Sequence, residues 1–170
     1  DSRPLFPYAM RAQFFMGTER RMLQDITPAA GPPFQQPFVG RGLASGDLDN
    51  DGRVDAVMVA QNEPLVFFSN VMAGPADERH YVGFRLEGTR SNRDGVGAVV
   101  RIKAGGRVRV CARYGGGSFQ SASDPRLRFG LGAQKRIDEV QVQWPSGKVD
   151  EYREIDADHD YLAREGSTSL

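Results

Sequence analysis

The chain has 170 residues, enough for one domain or two small ones with a buried core. Lysine plus arginine equals aspartate plus glutamate at 22 each, which argues against a nucleic-acid binder or a basic membrane-surface binder. No apolar run approaches the ~18–20 residues of a membrane span, and the single cysteine, Cys111, excludes an internal disulfide.

Asp1-Ser2-Arg3-Pro4-Leu5 lacks the basic-then-apolar order of a signal peptide. Residues 12–17 and 21–27 read as two short strands around a turn. In the following segment, 29–37, Pro32, Pro33 and Pro37 exclude regular structure. Residues 40–46 read as a strand of small residues, which implies close backbone packing.

The next stretch, Gly46-Asp47-Leu48-Asp49-Asn50-Asp51-Gly52-Arg53-Val54-Asp55, carries the strongest chemical signal. Its crowded carboxylates repel one another, and a hard cation that takes six to eight oxygen ligands removes that repulsion. With Asp47 as position one, Asp49 and Asp51 fall at three and five, and Gly52 permits a sharp turn at six. Arg53 offers its backbone carbonyl at seven, and Asp55 closes the shell at nine. An EF-hand needs a bidentate glutamate at twelve, where this chain has Met58 inside the β-branched run Val54–Ala60. The loop therefore leads into a strand, as a β-type Ca²⁺ loop. The alternative is an Asp-, Asn- and Gly-rich turn that holds no metal.

A turn at 61–64 and a strand at 65–70 follow. Together, Gly46–Asp55 and the strand Ala56–Ala60 resemble the FG-GAP/VCBS repeat, the blade unit of calcium-loop β-propellers. The resemblance implies Ca²⁺ ligation by the side chains of Asp47, Asp49, Asp51 and Asp55 and by the carbonyl of Arg53. Only one such loop is found, whereas a propeller closes with at least about four blades. This chain alone cannot make one.

Residues 73–79, small, Gly/Pro-rich and acidic, read as a linker between a blade segment at 1–72 and a β-sandwich domain at 80–170. His80–Gly88 alternates cleanly, with Val82, Phe84 and Leu86 on one face. Residues 98–103 and 107–113 flank Ala104-Gly105-Gly106, a hairpin signal. The second strand is expected to set Val108, Val110 and Ala112 against a basic face of Arg107, Arg109, Cys111 and Arg113. Further strands are expected at 127–131, 139–144 and 149–152, with a hairpin turn at 145–148. Four ordered motifs here resemble the ASPIC/UnbV domain: Ser91–Ala98, Gly115–Ser121, Leu127–Gly132 and Val140–Gly147. Combined with the preceding repeat, the chain resembles the C-terminal part of CRTAC-like (cartilage-acidic-protein-like) proteins. The fold class expected is all-β: a partial propeller-type blade followed by an ASPIC/UnbV-like sandwich.

Catalytic signals are scarce. The two histidines, His80 and His159, lie far apart, no local acid–base pair stands out, and no nucleophile elbow, zinc motif or P-loop is present. Ser118 and Ser121 suit a turn, and Gly115–Gly117 make a weak anion cradle. Asp156, Asp158 and Asp160 alternate but lack a glycine at six and a closing acid. Trp144 is read either as the end of a core strand or as a sugar-stacking platform. These features predict a non-enzymatic, calcium-stabilised module that is extracellular or periplasmic, where weak Ca²⁺ sites are filled. Its expected role is a structural subunit of a larger protein complex. A carbohydrate-binding or adhesion module using Trp144 and Phe119 is the alternative, and an enzyme whose site lies elsewhere ranks last.

Overall fold

The computed structural model describes residues 8–18, 20, 22–72, 75 and 79–170. Residues 1–5, Arg21 and most of the linker expected at 73–79 lie outside the described residues. Two short ladders open the chain. Strand β1 (Met10–Arg11) is followed by the hairpin β2 (Phe15–Gly17) and β3 (Leu23–Asp25), and β4 (Pro37–Phe38) returns to pair with β1. The segment between β3 and β4 is more regular than expected, with 3₁₀ turns at Thr27–Ala29 and Pro32–Gln35. Each has proline in its first positions, where a fixed φ suits the turn and the missing N–H would be unpaired anyway.

Strands β5 (Gly40–Gly46), β6 (Asp55–Ala60) and β7 (Val66–Phe68) form an antiparallel meander. One face, carrying Phe68, is covered by a chain of rings in which Phe34 lies 4.9 Å from Phe68 and 5.8 Å from Phe14. The register places Ala44, Val57 and Phe67 together on the other face. Phe67 and its neighbour Val59 there stay 51 % exposed.

The C-terminal half holds the main core. Strands β8 (His80–Glu87), β9 (Val99–Ala104), β10 (Arg107–Ala112), β11 (Leu127–Gly132), β12 (Arg136–Gln143), β13 (Val149–Asp156) and β14 (His159–Arg164) form two sheets. Their orders are β10-β9-β12-β13 and β11-β8-β14. The core between them collects Val82, Phe84 and Leu86 from β8, Val100 and Ile102 from β9, Phe129 and Leu131 from β11, and Val140 and Val142 from β12. The chain is all-β, with several sheets and none closed among the described residues, in keeping with a β-sandwich.

Two strands, β13 and β14, depart from the sequence reading. Strand β14 was not foreseen; it pairs parallel to β8, and β13 runs past Tyr152 to Asp156. The two faces of β10 divide as expected, and the basic one turns inward: Cys111 packs against the core, while Val108 and Val110 point outward and are half exposed. Ala104, Ile102 and Val100 face the core, and the register opposes them with Arg107, Arg109 and Cys111, so those side chains must take the inner side. Finally, Trp144 is 2 % exposed, so it is a core residue and no platform for a sugar.

Candidate metal centre

The Asp47–Asp55 stretch joins β5 to β6. Its backbone folds over its own carboxylates, as short polar side chains do when they bond N–H groups a few residues on. Asp47 accepts from the N–H groups of Asp51 and Gly52, both at 3.0 Å, and Asp49 accepts from Asp51 at 3.2 Å. Asp55 accepts from Leu48 N–H at 3.2 Å and from Asn70 N–H at 2.8 Å, tying the loop to the end of β7. Asn50 and Gly52 take positive φ values of 60° and 87° to make the curl.

One carboxylate oxygen from each of Asp47, Asp49 and Asp55 lies within 4.8 Å of the others. Asp51 is outside this cluster: it accepts from Arg53 N–H at 2.8 Å and forms an ion pair with the Arg53 guanidinium. The Arg53 side chain also donates to the carbonyl of Asn70 at 2.6 Å. Three of the five residues expected to hold a cation are therefore brought together. Each carboxylate has about four acceptor sites. Asp47, Asp49 and Asp55 keep some free after their hydrogen bonds, so this all-oxygen donor set fits a hard cation.

The sandwich grips the loop from below. Arg128 of β11 binds Asp47 at 2.8 Å and meets Asp160 of β14 through both terminal nitrogens, at 2.7 and 2.9 Å. Its guanidinium lies over the Tyr81 ring, 4.9 Å from the centroid. That ring fills the space beneath Gly52, where a Cβ would sit 2.3 Å from its carbons. Arg126 donates at 2.9 Å to the carbonyl of Asp47 and at 2.9 Å to the Asn50 side chain. It is paired in turn with Asp124 at 2.6 Å. Burial pushes the Asp124 carboxyl up, but the bonds and charge of Arg126 outweigh it and hold the group below its ordinary range.

The small residues of β5 gain their meaning from the same contact. A Cβ at Gly42 would strike Ser121 and Phe119, and one at Gly46 would strike Asp124. Ser45 O accepts from Asp124 N–H at 2.8 Å, and Leu43 N–H donates to Ser118 Oγ at 3.2 Å. Ser118 and Ser121 thus serve a turn, bridged to each other, that covers the β5 edge. At the opposite edge of the meander, β7 also has no ladder partner among the described residues.

Asp156, Asp158 and Asp160 do not converge. Asp156 pairs with Arg136 at 3.2 Å and Asp160 with Arg128. The Asp158 carboxylate lies within hydrogen-bond distance of His80 Nδ1, at 2.6 Å. That contact supplies an acid–base pair where none was expected from the sequence. His80 Nε2 is buried with no hydrogen-bond partner among the described residues, so the pair activates no hydroxyl or thiol there. Burial pushes the Cys111 thiol up, away from the reactive thiolate.

Arg126, Arg128 and Tyr81 were not singled out from the sequence as site residues, and Asp160 was weighed only with Asp156 and Asp158. Alternation in β11 tells that Arg128 faces away from Leu127 and Phe129, but nothing local names Asp47 as its partner. A further buried acid, Glu165, was missed for the same reason.

No curated protein matches the chain at a significant level. Residues 88–170, from the loop after β8 through β14, match the family described as ASPIC and UnbV.

Proposed function

We propose that the chain is a non-catalytic, extracytoplasmic protein-interaction module, a structural subunit of a larger assembly. In this reading an FG-GAP/VCBS-type blade segment over 1–72 is joined by a linker at 73–79 to the sandwich over 80–170, as in CRTAC-like proteins. The observation that carries it is the part of the β5–β7 face that the 118–126 segment leaves open, where Val59 and Phe67 stand half exposed and the outer strand β7 has no ladder partner among the described residues. Asp47, Asp49 and Asp55 would hold Ca²⁺, with Asp51 and the Arg53 carbonyl as the remaining ligands implied by the resemblance. A bound cation would neutralise the loop and stiffen the joint between β5 and β6, and so the surface they present.

Two measurements test this. Removing Ca²⁺ with a chelator is expected to lower the melting temperature by about 5 °C, with recovery on adding Ca²⁺ at about a hundred times its dissociation constant. A melting temperature indifferent to Ca²⁺ sinks the cation part. Replacing Val59→Glu together with Phe67→Glu is expected to leave the melting temperature within a few degrees of wild type, because both side chains already meet solvent. The same double variant should lose a partner that co-purifies with the wild-type chain at fixed stoichiometry. Retention of that partner removes the assignment of this face.

A further inference from the structure

We propose that Arg128 is a resident counter-charge of the acidic loop, so that a divalent cation at Asp47, Asp49 and Asp55 competes with the Arg128 guanidinium for the Asp47 carboxylate. The inference rests on the cation reading above and goes beyond it by naming what sets the affinity.

The Asp47 side chain is fully buried and that of Arg128 is 6 % exposed, with 2.8 Å between their charged atoms. Such a pair is screened little by salt, and each member is costly to leave without the other. Arg128 is also fixed from its other sides. Asp160 holds both terminal nitrogens, the Tyr81 ring lies beneath, and Nε is buried without a partner among the described residues. The guanidinium therefore has no easy route to solvent when a cation arrives. It remains beside Asp47 as a like charge.

Two consequences follow from charge alone. In the absence of a cation, Arg128 neutralises the most buried of the three clustered carboxylates, and the loop stays docked on the sandwich. With a cation present, the same positive charge opposes it. By linkage, whatever Arg128 adds to the cation-free state beyond the bound state is subtracted from cation affinity. Asp160, bound to the same guanidinium, draws part of that positive charge away from Asp47.

The test is calorimetric titration of the full chain with CaCl₂, alongside thermal melts with chelator and with Ca²⁺. Arg128→Met is expected to melt lower than wild type without cation, to bind Ca²⁺ about tenfold more tightly, and to gain more in melting temperature on binding. Asp160→Asn removes the second carboxylate charge from Arg128, and from Arg126 at 3.2 Å, and is expected to weaken Ca²⁺ binding about threefold. Because Asp160 is 39 % exposed, this second variant remains informative if Arg128→Met does not fold. Equal or weaker binding by a folded Arg128→Met, or unchanged binding by Asp160→Asn, overturns the competition while leaving the cation site standing. Absence of any Ca²⁺ heat or melting shift in wild type and both variants overturns the site and the competition together.

Discussion

Glu165→Ala is expected to lower the unfolding free energy by about 3 kcal/mol, because it strips the acceptor from a buried nest of donors. Glu165 follows β14 and is 4 % exposed. One carboxylate oxygen accepts from three consecutive N–H groups, Thr89 at 2.8 Å, Arg90 at 2.7 Å and Ser91 at 2.8 Å. The other accepts from the hydroxyls of Ser91, at 3.1 Å, and Ser146. The backbone of Glu165 is tied as well, donating to Glu87 O at 2.8 Å and accepting from the Thr89 hydroxyl at 3.1 Å. One side chain thus pins the C-terminal segment to the 88–98 loop and the 145–148 turn.

Burial pushes this carboxyl up, but the bonds from Ser146, Ser91, Arg90 and Thr89 outweigh it and hold the pKa down at about 2, from 4.5. A pKa lowered by folding stabilises the fold fully above the unfolded value and loses that contribution as pH falls through the folded one. The gap between wild type and Glu165→Ala, measured by urea unfolding, is therefore greatest near neutral pH. It should narrow as pH drops from 4.5 towards about 2. A gap that is small at neutral pH, or that widens in acid, contradicts the nest.

What could be read from the sequence divides along one physical line. Local patterns carried far: the Val82, Phe84, Leu86 alternation named a buried face of β8, and Gly105-Gly106, with φ values of 54° and 74°, make the tight hairpin expected of them. The convergence of Asp47, Asp49 and Asp55 was legible because these carboxylates and the loop's glycine sit within ten residues. Partners brought in from afar were not. Arg128 reaches Asp47 across 81 positions of sequence and β14 pairs parallel to β8, and neither relation leaves a local signal. The orientation of β10 is a different case. Alternation within the strand separates its two faces but does not say which of them turns inward. A two-residue turn fixes Ala104 opposite Arg107, and that register overrides the preference of Val108 and Val110. The stems of Arg107 and Arg109 can lie along apolar surface, which makes the arrangement tolerable.

Trp144→Ala is expected to cost about 4 kcal/mol, the range for deleting a large aromatic side chain from a core. The indole lies at the end of β12 among the buried residues, close under the 91–98 loop, where a Cβ at Gly95 would stand 3.4 Å from the ring. Gly95 has φ 62°, so the loop takes the left-handed turn that glycine allows and brings its backbone down onto the tryptophan. The polar end is equally constrained: indole Nε1 donates to Asp150 at 2.7 Å, and the same carboxylate oxygen accepts from Gly166 N–H at 2.7 Å. Asp150 is itself buried, with Lys148 3.5 Å away. Trp144→Phe keeps most of the apolar volume but removes the donor, and is expected to cost about 1.5 kcal/mol through Asp150 alone. The two variants separate packing from hydrogen bonding. The larger loss in Trp144→Ala also governs how a binding assay on it is read: any ligand lost with that side chain is lost through the fold. Chemical unfolding of both proteins checks the order, and a Trp144→Ala chain as stable as wild type would put the indole outside the core.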